Sequence, residues 1–161
     1  MEMIFGLRPI IEAMLAGKVL EKIFVQKGAR NANTDELLDL AKKHDIPVAS
    51  VPIEKLNNLT RKNHQGAVAL ISAITYMPLD EIVTSLFEKG KSPLLLILDR
   101  ITDVRNFGSI ARNAECMGVD AIVIPSRGGA QINADAIKTS AGALHLVPVC
   151  REQNLKNTID Y

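Results

Sequence analysis

Apolar residues follow two spacings along this chain. Some stand in short continuous runs: "KIFVQ" (22–26), "GAVALISAI" (66–74), "LLLILD" (94–99), "DAIVIP" (120–125) and "LHLVPV" (144–149). Others recur three and four residues apart, as in Ile10, Ile11, Met14 and Leu15, or Leu79, Ile82, Val83 and Leu86. The runs predict buried strands, and the spaced stripes predict amphipathic helices.

Punctuation between them sets the boundaries. Pro9 stands near the start of "LRPIIEAMLAG" and Gly17 at its end, the asymmetry of a helix. Thr34 is positioned to cap "DELLDLAKKH", which has acids in its first turn and Lys42 and Lys43 in its last. "IPVASV" predicts a short strand and "IEKLNNL" a short helix. Residues 1–75 therefore read as a small α/β unit. Residues 76–92 hold Pro78, one helical stripe and the turn "KGKSP", and predict a linking segment with a helix. From 93 to 161 the pattern alternates again. A strand leads to a helix over 106–117, a strand, the polar loop "SRGGAQ", the helix "NADAIKTSA", a strand, and a helix opening at Asn154. Continuous apolar strands alternating with helices predict a parallel sheet covered on both faces. The fold class is α/β.

Composition narrows the classes of function. Of 161 residues, 47% are hydrophobic and 23% charged, enough apolar surface for a folded core. Aromatic residues are 4% and tryptophan is absent, which argues against stacking bases on an aromatic platform. The net charge of +1 excludes a polycation, so any nucleic-acid contact must come from local patches. Cys116 and Cys150 form neither a disulfide framework nor a metal-ligand spacing, as expected of free thiols in a reducing cytoplasm with no metal site. Glu2, Arg8 and Glu12 break the N-terminal apolar stretch, which does not read as a signal peptide. No apolar run approaches the ~20 residues of a membrane span.

Candidate chemistry concentrates in "LDRITDVRNFGSIARNAECMGVDAIVIP" (98–125). A buried strand is followed by Asn106, Gly108 and Arg112 at the mouth of a helix, where open α/β sheets bind ligands. Asn106 is placed to cap the helix through its side-chain oxygen. Gly108 would let a ligand approach the helix start. Arg112 would reach back toward a bound anion, with Arg105 as a second cation in the loop. The alternative is a capped helix carrying a surface arginine.

These residues, followed by "MGVDAIVIP" and "GGAQINADAIKTSAGALHLVPV", resemble the SpoU (TrmH-like) family of RNA ribose 2′-O-methyltransferases. The nearest branch is the bacterial one acting on guanosine in large-subunit ribosomal RNA. "IFGLRPIIEAML" and "NHQGAVA" are similar to that family's N-terminal substrate-binding domain, a ribosomal-protein-like α/β unit. The resemblance implies a SPOUT methyltransferase domain of the trefoil-knot type, S-adenosylmethionine as cofactor, RNA as partner (rRNA above all), a cytoplasmic homodimer, and no membrane or metal. The family's Gly-Glu-Gly-type loop and Ser-Leu-Asn-Val-Ser-type segment do not occur in these 161 residues. The expectation is therefore that the knot and the main cofactor-holding segments lie outside them, and that this stretch alone is inactive.

Arg112 is the family's motif arginine, implicated in activating the ribose hydroxyl. Arginine stays protonated in proteins, so it is a poor literal base. The physical expectation is that Arg112 grips a phosphate and stabilises developing alkoxide charge, while Asn106 orients it. RNA contacts are expected from Arg105 and Gly108. In the N-terminal unit they are expected from Lys27 and Arg30 in one loop and from Arg61, Lys62, Asn63, His64 and Gln65 in another. For each lone cation the competing reading is a solvated surface charge, the commoner role, and His64 can equally be a hydrogen-bond donor that orients its loop. His145 is expected to be structural within a strand, and His44 to serve a helix C-terminus. Two other classes compete with the enzyme: a non-catalytic RNA-binding module of ribosomal-protein-like fold, and a nucleotide-binding α/β protein. The second is weakened by the lack of a GxGxxG or a Walker A motif.

Overall fold

In β2 (Leu20–Gln26), Ile23 and Val25 turn to one side of the sheet and Phe24 to the other. β2 therefore reads as one apolar run because both faces are covered. It is one of two inner strands, with β4 (Ala67–Ile71), of a sheet ordered β1-β4-β2-β3, whose other members are β1 (Met3–Phe5) and β3 (Val48–Val51). β3 runs parallel to β2, and β4 runs antiparallel to both β1 and β2. One face packs against α1 (Leu7–Leu15) and α2 (Ala32–Lys43), through Ile10, Ile11, Met14, Leu37 and Ala41. The other receives Leu56 from α3 (Ile53–Leu59), over Phe24, Val68 and Leu70. The computed structural model describes residues 2–129 and 132–161. These strands and helices belong to the first of two units, Met1–Ser72; the second is Ala73–Tyr161.

In the first unit the sequence pattern misses one element, and one expectation fails. β1 has only three half-buried residues, too few for the hydrophobic pattern to single it out. The cap of α2 is Asn31, not Thr34. Asn31 Oδ1 accepts the Thr34 N–H at 2.9 Å and the Thr34 hydroxyl at 3.1 Å, and Thr34 itself is buried. An oxygen three residues earlier satisfies the first-turn amide, so the helix starts sooner.

The second unit is a parallel sheet in the order β5 (Leu95–Ile97), β6 (Ala121–Pro125), β7 (Val149–Glu152). α5 (Val104–Cys116) and α6 (Ala134–Thr139) cover one face, with Phe107, Ala111, Ala114 and Ala136 against Ile122, Ile124 and Val149. α4 (Leu79–Glu88) and α7 (Leu155–Asp160) cover the other, with Leu79, Ile82, Val83 and Leu155 against Ala121, Val123 and Cys150. The segment 76–92 thus contributes a packed helix to this unit, because its apolar stripe finds a sheet face to bury. The strand expected over "LHLVPV" is also shorter than its apolar run. A 3₁₀ turn occupies Ala143–His145, β7 begins only at Val149, and His145 is an exposed turn residue. Among the described residues, no helix is long and apolar enough to cross a membrane.

Candidate active site and nucleic-acid interface

The helix bearing the candidate chemistry starts at the carboxyl end of β5. Its cap is Asp103, whose Oδ1 accepts the N–H of Asn106 at 2.8 Å. The expectation that Asn106 caps is therefore corrected: Asn106 is the third residue of the helix, and its own amide is the one being capped. Both residue types suit the role, and the chain offers them three positions apart. The earlier one wins because Val104 and Arg105 are already helical.

Gly108 is also reassigned. It is buried, and a Cβ there would stand 2.5 Å from the Ala136 carbonyl oxygen and 2.9 Å from Thr139 Cβ, both on α6. α6 takes the space expected for a ligand, so Gly108 serves helix crossing rather than RNA approach. Close approach of two backbones needs a residue without a side chain.

Arg112 lies on the same helix, exposed and without a hydrogen-bond or ion-pair partner among the described residues. Arg105 is exposed too. Seven residues separate them, so they stand about 20° apart around the helix axis and form one basic stripe. Asn106 is six residues from Arg112, about 120° away around the axis, and no hydrogen bond joins them. The direct orienting role expected for Asn106 is absent from this arrangement. Arg100, in the loop after β5, holds a left-handed backbone with φ 54° and is exposed beside Asp99. The loop after β6 reaches the same strand ends, where a Cβ on Gly129 would lie 3.9 Å from the Ile101 carbonyl oxygen. Ala130 and Gln131 of that loop lie outside the described residues.

Unit one brings its two predicted loops together. β4 runs antiparallel to β2, with Val25 opposite Ala67, and the Gln26 N–H donates to the Gly66 carbonyl at 2.8 Å. Lys27 and Arg30, which follow β2, therefore share one end of the sheet with Arg61–Gln65, which precede β4. The Gly6 N–H donates to the Ala67 carbonyl at 3.0 Å, so the start of α1 joins them and adds the exposed Arg8. The sequence alone does not mark Arg8, because its neighbours are set by the β1–β4 pairing. Lys27, Arg30 and Arg61 are exposed. Lys62 Nζ sits 5.3 Å from the Phe5 ring centroid, a cation–π contact. Asn63 Oδ1 accepts the Gln65 N–H at 3.3 Å.

His64 departs from its expected RNA contact. Only 8% of it is exposed, and both ring nitrogens are engaged inside the chain. Nδ1 accepts the Gly66 N–H at 3.1 Å, which leaves the proton on Nε2 to be donated to Asn57 Oδ1 at 2.9 Å. It orients its loop instead. Among the described residues, no group of three or more His, Cys, Asp or Glu side chains could hold a metal ion.

Two family models match the chain, one in each half. A family model described as RNA 2′-O ribose methyltransferase substrate binding matches residues 3–77, and the SpoU rRNA methylase family model matches residues 93–161. A TrmH family tRNA/rRNA methyltransferase of Staphylococcus haemolyticus is 38% identical over 157 residues, and one of Bacillus subtilis is 34% identical over 157. Each alignment covers 98% of this chain and 63% of the relative, so the chain spans less than two thirds of their length. Among solved structures, an AdoMet-bound rRNA methyltransferase from Sinorhizobium meliloti is similar at 21% identity and a TM-score of 0.45. A SpoU methyltransferase from Streptomyces viridochromogenes in complex with AdoMet is similar at 19% and 0.45. Each covers 98% of this chain and 56% of the solved one.

Proposed function

Since the chain belongs to the SpoU (TrmH-like) family, with the substrate-binding model matched in its first half and the methylase model in its second, we propose that the full protein transfers a methyl group from S-adenosylmethionine to a ribose 2′-hydroxyl of RNA, and that its substrate is ribosomal. The observation that carries this reading is Arg112. It is an exposed arginine with no partner among the described residues, aligned with Arg105, on the helix that starts at the carboxyl end of the parallel sheet.

Arg112 has the reach and the forked donors to hold a phosphate next to the target ribose. The same charge stabilises the alkoxide that develops on the 2′-oxygen as its proton leaves to water or to a phosphate oxygen. Arg105 adds a second positive charge along the same stripe. S-adenosylmethionine, when bound, supplies a methyl group made electrophilic by its sulfonium sulfur. At these strand ends the exposed Gly128 leaves its side of the loop after β6 open: no atom stands within 4 Å of the place a Cβ would take. The basic strand ends of the first unit, with Lys27, Arg30, Arg61 and Lys62, hold the RNA through its backbone.

The test is methyl transfer by the full-length gene product, using tritium-labelled S-adenosylmethionine with ribosomal RNA and with tRNA, followed by nuclease mapping. Label in a 2′-O-methylated nucleotide of rRNA is the expected result. RNA binding without any transfer would leave a non-catalytic binding module, and label on tRNA or on a base would overturn the ribosomal or ribose assignment.

A further inference from the structure

The loop that His64 orients carries an exposed amide in a strained backbone. Residues His64–Gln65–Gly66–Ala67 form a tight turn, closed by the Ala67 N–H donating to the His64 carbonyl at 2.8 Å. Its two central residues, Gln65 and Gly66, have φ of 46° and 81°. Positive φ at both central positions is the type I′ pattern, in which glycine, asparagine or aspartate adopts the first position with least strain. Glutamine is a poor choice there on conformational grounds, and no hydrogen bond of its own side chain offsets the strain. Gln65 is exposed, and its amide has no hydrogen-bond partner among the described residues. Oε1 lies 3.6 Å from where a Cβ on Gly6 would stand, so the side chain runs over the turn between β1 and α1.

The turn is held rigidly in place. His64, buried, accepts from Gly66 and donates to Asn57 of α3, so both the turn and the helix beside it are bolted to one imidazole. The same end of the sheet carries the exposed cations Arg8, Lys27, Arg61 and Lys62. A positive φ kept in a hydrogen-bonded turn, with an unused polar group at the sheet end that also carries four exposed cations, points to a ligand contact.

We propose that Gln65 is a specificity-determining contact for RNA, and that His64 is its positioning residue. The amide is both donor and acceptor, as a ribose 2′-hydroxyl is, so the two can pair in either sense. The cations hold phosphates and are indifferent to the sugar. This assignment rests on the reading of the first unit as RNA-binding.

The experiment measures binding of the 161-residue chain to transcribed large-subunit rRNA, with single-stranded DNA of the same sequence as competitor, across a range of salt. The parent should prefer RNA. Gln65→Gly, whose residue suits the positive φ, should cut that preference about fivefold or more and leave the log-log salt slope unchanged. Arg61→Ala should do the reverse, lowering the slope by about one and sparing the preference. His64→Ala should reproduce the Gln65→Gly loss, and the double variant should be no worse than either single one. An unchanged preference in Gln65→Gly overturns the proposal, as does a parent that binds RNA and DNA equally. A parent that binds neither nucleic acid overturns the RNA-binding reading beneath it. If His64→Ala does not fold, Gln65→Gly still decides.

Discussion

Gly108 and Ala136 mark a close approach between α5 and α6: a Cβ on Gly108 would stand 2.5 Å from the Ala136 carbonyl oxygen. No side chain fits there without moving backbone. Gly108→Ala gains about 1 kcal/mol of helix propensity, but the clash with α6 costs about 1–3 kcal/mol or more. The net expectation is a loss of stability, read as a lower urea midpoint with no change in slope, and present without RNA or cofactor. Parent-like stability with impaired RNA binding would return Gly108 to the ligand-facing role that its sequence suggests.

Arg112→Ala in the full-length protein should lower methyl transfer by roughly a hundredfold or more, the effect of removing one charge that stabilises the transition state. RNA affinity should fall far less, because the basic strand ends of the first unit remain. Single-turnover rates on saturating RNA separate the two. A rate within a factor of about three of the parent would place the activating charge elsewhere.

Cys116 is exposed and Cys150 fully buried, so a neutral-pH alkylating reagent should label Cys116 in the native protein and Cys150 only after unfolding. Burial, helped by the carboxylates of Glu152 and Asp80, raises the Cys150 thiol from 9.0 to about 11. A thiol whose folded value lies above its unfolded one keeps its proton longer in the native state. Its contribution is intact below 9.0, the ordinary value, and is lost as pH rises toward about 11. Parent and Cys150→Ala should therefore converge in urea stability across that window, by up to about 3 kcal/mol. A constant difference over the same range would contradict the assignment.

Ala141 holds a φ of 50° in the turn before the 3₁₀ segment, and it is exposed. An L-residue with a side chain is strained there by about 1–2 kcal/mol. Ala141→Gly should raise thermal stability by a few degrees, less the entropy that glycine adds to the unfolded chain. Thermal unfolding followed by circular dichroism checks it, and a fall in midpoint would show that the methyl group packs more than its exposure implies.

Most strands and the chemistry-bearing helix are legible in the sequence because each depends on neighbours along the chain; the short β1 and the start of β7 are not. A run such as "AIVIP" is apolar on both faces, so it must be a covered strand wherever it lands. Polar capping residues ahead of apolar stripes announce helices, although at both α2 and α5 the oxygen that caps lies three residues before the one expected. Several residues have no neighbour in sequence that reveals their role. Gly108 reads as an opening for a ligand until Ala136 and Thr139 of α6 pack on it. His64 reads equally as an RNA contact and as a donor that orients its loop until Asn57 and Gly66 close on its two nitrogens and decide for the second. Arg8 reads only as a charge that interrupts the N-terminal apolar stretch until β1 pairs with β4 and carries it to the basic strand ends. Local pattern and turn chemistry, then, determined the α/β alternation and the family motif. Tertiary contact alone decided which side chains are left free to meet a ligand, because burial and hydrogen-bond satisfaction are settled by whatever packs against a residue, and that partner is usually distant in the chain.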